Sequence, residues 1–290
     1  MFFTSLDKAV RETCGSSRKI KEKRPVFGGD INEAYSVTLD DGTVLFLKTN
    51  EPGSASFFEA EAEGLEAIRR TGAVSVPEIL ALGTDKDVSF LLMEFISGGQ
   101  KIKDYWEVFA AELAAMHSAE TPGYYGFRED NWIGARKQVN TPHDSWIPFF
   151  RDCRLQPQLE AAQKYFSPED RKKAGNLLSR LDRFLTEPDR PALLHGDLWS
   201  GNMITGNDGK GWLIDPAVYY GHPEADLAMT ELFGGFPARF YEAYREAGKQ
   251  EPGYKDRRDL YNLYHLLNHL NLFGSGYLGA VLRILNRYAG

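Results

Sequence analysis

The segment Leu194-His195-Gly196-Asp197-Leu198-Trp199-Ser200-Gly201-Asn202, followed by Leu213-Ile214-Asp215-Pro216, constrains this chain more than any other. Asp197 precedes Asn202 by five positions, and Asp215 follows thirteen later at the end of an apolar run. The pattern predicts two very short strands, 192–194 and 211–214, flanking a polar loop. A loop in which Asp197 only caps a helix would explain the Asp and Asn alone. It does not explain His-Gly-Asp, the Asn, an apolar strand and a second Asp in fixed order.

The rest of the chain divides by periodicity. Residues 24–28, 34–39 and 43–48 alternate apolar and polar as strands do, with Asp40-Asp41-Gly42 as a hairpin turn. Residues 56–70 read as a helix with Phe57, Ala60, Gly64, Leu65 and Ile68 near one face, and 78–82 and 88–95 as further strands. After Ser97-Gly98-Gly99 the period becomes helical, over 103–117, 145–164, 168–185, 224–232, 238–247 and most of 257–288. This gives an α+β chain of two lobes meeting at a cleft: a β-rich lobe, 1–96, and a helical lobe, 97–290.

With 290 residues, 42% of them hydrophobic, a substantial core is available and intrinsic disorder is excluded as the main state. The balance of 34 basic and 41 acidic residues, a net −7, offers no general attraction to nucleic acid or to an anionic membrane. Two cysteines, Cys14 and Cys153, form no CxxC and fit a reducing compartment. Without a secretion signal or an apolar span, the expectation is a cytoplasmic protein.

The order Asp, Asn, Asp resembles the catalytic-loop Asp and Asn and the later metal-binding Asp of protein-kinase-type phosphotransferases, with HGD for HRD and IDP for DFG. Phosphoryl transfer needs metal ions to neutralise developing charge, and hard Mg²⁺ prefers oxygen ligands such as the Asp215 carboxylate and the Asn202 amide oxygen. It also needs a base beside the acceptor hydroxyl, which Asp197 would supply. A cation for the nucleotide phosphates is expected in Lys48, at the end of an apolar strand. Of Glu59, Glu61 and Glu63 on the next helix, Glu61 shares a face with Leu65 and Ile68 and is chosen as its partner.

Gly28-Gly29-Asp30, between two expected strands, is a candidate phosphate cover, since glycines let backbone N–H groups approach phosphate oxygens. Backbone groups of Glu94 and Ile96 would line an adenine pocket. Walker, dinucleotide-fold and serine-hydrolase signatures are absent. His265 and His269 share a helix face at a spacing used by some zinc sites, but lack a Glu between them and an obvious third ligand.

Taken with Asp130-Asn131-Trp132-Ile133-Gly134, Arg154-Leu155-Gln156-Pro157-Gln158, Gly221-His222-Pro223-Glu224-Ala225-Asp226 and Gly274-Ser275-Gly276-Tyr277, the chain resembles the fructosamine kinase (ketosamine-3-kinase) family. That family is a relative of aminoglycoside phosphotransferases and choline kinases within the protein-kinase-like fold. The resemblance implies a bilobal fold whose front lobe is a five-stranded antiparallel sheet plus one helix. It implies ATP- and Mg²⁺-dependent phosphorylation of the 3-hydroxyl of ketosamines, either small molecules or glycated proteins, as a deglycation repair reaction. It further implies that Trp199 is a flat wall for the sugar and that Asp226 ties the catalytic loop down. The competing readings are a kinase for another hydroxyl compound, of choline or aminoglycoside type, and a nucleotide-binding pseudokinase. The presence of Lys48, Asp197, Asn202 and Asp215 together argues against the last.

Overall fold

The computed structural model describes residues 2–26, 32–51, 53–247 and 251–289. They form two compact units, one of residues 1–105 with 203–216, the other of 106–202 with 217–290.

The first unit is built on a sheet of β1 (Phe2–Phe3), β2 (Ile20–Val26), β3 (Glu33–Leu39), β4 (Val44–Asn50), β5 (Ile79–Asp85) and β6 (Val88–Glu94). Its order is β1-β5-β6-β4-β3-β2. Helix α1 (Leu6–Cys14) and helix α2 (Ala55–Arg70) complete it. The expected sheet of five antiparallel strands with one helix therefore gains a parallel edge strand and a second helix. Two phenylalanines are too short a run to show a period. The strand exists because Gly83 lies opposite Phe3, where a Cβ would stand 2.0 Å from the Phe3 carbonyl oxygen. The Leu6 N–H of α1 is capped from β5 by Asp85 Oδ2 at 2.9 Å.

Side chains alternate across a strand, so the central strands are buried on both faces. Leu45, Leu47, Phe90 and Leu92 join Ala9 and Val10 of α1 in one core, while Leu91 and Met93 join Phe58 and Ala62 of α2 in another. Lys48 has the parity of Phe46, which packs into the second cluster, and so lies on the α2 side. The buried stripe of α2 is Phe58, Glu61, Ala62, Gly64, Leu65 and Ile68, with Phe57 and Ala60 only partly covered. This corrects the expected face by about one position, because Phe58 rather than Phe57 continues the spacing of Leu65 and Ile68.

The hairpin Met203–Thr205/Gly211–Leu213 belongs to this unit. Leu213 N–H donates to Ser75 O at 2.9 Å and Gly99 N–H to Thr205 O at 3.0 Å. The second bond ties Gly99 to this hairpin, and residues 97–105 fall in the same unit.

In the second unit α3 (Tyr105–His117) buries Phe109, Ala110, Leu113 and Met116. The helix expected over 145–164 is instead α-helical at Trp146–Phe149, π-helical at Phe150–Leu155 and α-helical again at Gln156–Ala161. Pro157 has no N–H to return to the preceding turn, and the Cys153 carbonyl is taken by Arg154 Nη1 at 3.0 Å. Helix Pro168–Leu178 ends short of residue 185, and the expected 257–288 helix becomes Tyr254–Phe273 and Leu278–Ala289, parted at Gly274, whose φ is 91°. Strand Ala192–Leu194 pairs with Tyr219–Gly221, a partner too short for the sequence to reveal. Among the described residues no helix is long and apolar enough to cross a membrane.

Candidate active site

In the first unit, strand parity and the α2 stripe bring Lys48 against Glu61, with Nζ 2.6 Å from Oε1. Both residues are 8% exposed. Glu59 is exposed and Glu63 half-buried, so neither replaces Glu61. Lys48 Nζ also meets Asp215 Oδ1. Burial alone would lower the Lys48 pKa, but the charges of Glu61 and Asp215 outweigh it and hold the ammonium above the ordinary lysine value. Burial, with the Asp215 charge, pushes Glu61 upward against the pull of Lys48. Asp215 stands at φ 53°, a left-handed conformation that costs a non-glycine residue free energy and is found at functional sites.

Glu94 ends β6, and its N–H donates to Glu78 O at 2.9 Å. Ile96 follows in the half-exposed connector. Gly28, Gly29 and Asp30 lie outside the described residues.

The second unit carries the loop from His195 to Asn202. Asp226 Oδ2 accepts from His195 N–H at 2.7 Å and Oδ1 from Gly196 N–H at 2.9 Å. His117 Nε2 lies 3.2 Å from the same carboxylate. Burial opposes its charge, yet His117, His195 and the Gly196 amide win, holding Asp226 below the usual carboxylate range. The loop is pinned from the other side as well. Ala217 N–H donates to His195 O at 2.8 Å, Gln138 Nε2 donates to Ala217 O at 2.9 Å and Asn131 Nδ2 to Val218 O at 2.7 Å. Gly196, at φ 82°, packs so tightly on Ala217 that a Cβ would stand 2.0 Å from its carbonyl oxygen.

Within the loop, Asn202 Nδ2 donates to Asp197 O at 2.8 Å and Asp197 Oδ2 at 3.0 Å. Both partners are acceptors, which fixes the amide orientation and turns Asn202 Oδ1 away from Asp197. Trp199 is half-buried, its ring 6.0 Å from that of Phe233. In the histidine pair, His269 Nδ1 donates to the His265 carbonyl at 2.8 Å. Among the described residues no three His, Cys, Asp or Glu side chains are grouped to hold a metal. The sequence reading missed the steric demand at Gly196, for which the glycine of His-Gly-Asp was the signal, and the placement of His265 beside Asp197, with Nδ1 3.9 Å from Oδ1.

The sequence profile of the fructosamine kinase family matches residues 2–289. The chain belongs to the fructosamine kinase family. It is 42% identical over 275 residues to a probable ketoamine kinase of Synechocystis sp., covering 92% of this chain and 90% of that protein. A chloroplastic protein-ribulosamine 3-kinase of Oryza sativa subsp. indica is 41% identical over 280 residues, covering 95% and 81%. A crystal structure from Haemophilus somnus 129PT, described as a candidate fructosamine-3-kinase, superposes with a TM-score of 0.89 at 31% identity, over 98% of this chain and 96% of that one. Membership carries the protein-kinase-like fold with it.

Proposed function

We propose that this chain is a kinase that transfers the γ-phosphoryl group of ATP, with Mg²⁺, to the 3-hydroxyl of ketosamines, the sugar adducts of amines. The observation that carries the reading is the Asn202 to Asp197 bond, which pairs a hydroxyl-activating carboxylate with an amide oxygen turned outward, in a chain matched to the family along its length.

The donor set fits a magnesium ion. Asn202 Oδ1 and the 44% exposed carboxylate of Asp215 are hard oxygen ligands, and Mg²⁺ takes one or two such groups together with phosphate oxygens and water. When bound, the ion neutralises charge that develops on the phosphoryl oxygens. Lys48, kept charged by its two acids, supplies the ammonium for the α and β phosphates, and Glu61 holds it in one rotamer. The Glu94 carbonyl and the Ile96 amide serve the adenine, and Gly28, Gly29 and Asp30 the phosphates. Asp197 accepts the proton of the acceptor hydroxyl, with Oδ2 anchored on Asn202 and the loop backbone anchored on Asp226. Trp199 gives the sugar a flat apolar face. Phosphorylation at O3 of a ketosamine destabilises the adduct and frees the amine, so the activity is a deglycation.

The experiment is incubation with ATP and Mg²⁺ and a panel of fructoselysine, ribuloselysine, choline and kanamycin. Turnover of the ketosamines is expected, abolished by Asp197→Ala while ATP still binds, and abolished reversibly by a chelator. Turnover of choline or kanamycin alone would overturn the reading. So would nucleotide binding without turnover of any acceptor, the behaviour of a pseudokinase.

A further inference from the structure

His265 is 3% exposed on helix Tyr254–Phe273, and its Nδ1 is buried without a hydrogen-bond partner. A buried polar nitrogen left unpaired costs free energy and calls for an explanation. This one lies 3.9 Å from Asp197 Oδ1. The ring is held in place by Tyr264, whose ring stands edge-on at a centroid distance of 5.1 Å and whose hydroxyl donates to Gln138 Oε1 at 2.7 Å.

Burial lowers the His265 pKa to about 3, aided by His269 and Arg154 and opposed by Asp226. The ring is therefore neutral near neutral pH and has one N–H to place. A carboxylate oxygen only accepts. The tautomer protonated at Nδ1 points a donor at Asp197, whereas the other points a lone pair at an anion.

We propose that His265 is a positioning residue for Asp197, its Nδ1–H aimed at Oδ1 while Asn202 Nδ2 holds Oδ2, so that the carboxylate is set between two donors when it meets the acceptor hydroxyl. The separation exceeds a hydrogen bond. Catalytic contacts of this kind shorten once a substrate fixes the carboxylate. The inference rests on the reading of Asp197 as the base.

The tautomer is read on the wild-type chain by ¹⁵N NMR of the histidine rings, independently of any variant's folding. Protonation at Nδ1 of His265 is expected, and protonation at Nε2 alone would overturn the proposal. Kinetics with fructoselysine supply the second reading. His265→Leu should lower kcat about tenfold, with KM for the ketosamine and affinity for ADP changed less than about twofold, and His265→Asn, which keeps a neutral donor, should recover most of the loss. Equal impairment of the two variants, or a wild-type rate in His265→Leu, would refute it. Asp197→Ala keeps the two readings apart: a wild-type rate in that variant removes the base itself, whereas an inactive Asp197→Ala beside a fully active His265→Leu removes only the positioning role.

Discussion

Replacing Lys48 with Met tests the charge arrangement of the first unit. The ammonium is buried 2.6 Å from Glu61 Oε1, with Asp215 as its second acid. At an effective dielectric of about 20, two unit charges at that separation attract by roughly 6 kcal/mol, against which stands the cost of taking both from water. Removing one member of a buried pair costs about 3–5 kcal/mol, because the other is left without a partner. Methionine keeps an unbranched apolar stem, so the loss is chiefly electrostatic.

Urea unfolding should show a midpoint lowered by roughly 1.5–2.5 M, taking a slope of about 2 kcal/mol/M. The deficit should depend on pH. Burial and the Asp215 charge already push Glu61 above its ordinary value of 4.5, and without Lys48 they act unopposed. A carboxyl whose folded pKa is raised binds more protons when folded. Its stability is retained below the unfolded pKa and lost as pH rises through the folded one. K48M should therefore be closer to wild type at about pH 5 than at about pH 8. The double variant K48M/E61Q, which buries no unpaired charge, should regain most of the stability at the higher pH. A K48M deficit equal at both pH values and not relieved by E61Q would refute the reasoning.

Two further outcomes follow from the second unit. Gly196→Ala places a Cβ 2.0 Å from the Ala217 carbonyl oxygen at a φ of 82°, so turnover should fall and melting should drop by several degrees; an unchanged melting curve would mean that the loop and Ala217 part freely. Arg154, fully buried, donates to Val139 O at 2.5 Å and Asn140 Oδ1 at 2.7 Å, and its guanidinium carbon lies 3.9 Å from the Tyr219 ring centroid. Arg154→Met strands these two acceptors and the Cys153 carbonyl and should cost about 3 kcal/mol in denaturant unfolding; a wild-type midpoint would contradict this.

Much of the candidate site was legible because the chemistry proposed for it resides in residue types at short, fixed spacing. Asp197, Asn202 and Asp215 are meaningful as a string, and the choice of Glu61 over Glu59 and Glu63 followed from helix period, even though the apolar stripe of α2 was placed about one position off. The strand parity that puts Lys48 on the α2 side is likewise a local property, since side-chain direction alternates along any strand.

Other features depend on partners distant in sequence. The edge strand Phe2–Phe3 needs the bare Cα of Gly83, and the π-helical turn at Phe150–Leu155 sits where Arg154 takes over the carbonyl bond that Pro157 cannot make. Gly196 is required by Ala217, and His265 Nδ1 lies 3.9 Å from Asp197 Oδ1, a neighbour that its spacing to His269 does not show. Spacing along one chain fixes which residues share a face. It carries no information on which buried atom another segment will bring within bonding distance, and that is decided only when the tertiary packing closes and every buried donor and acceptor must find its partner.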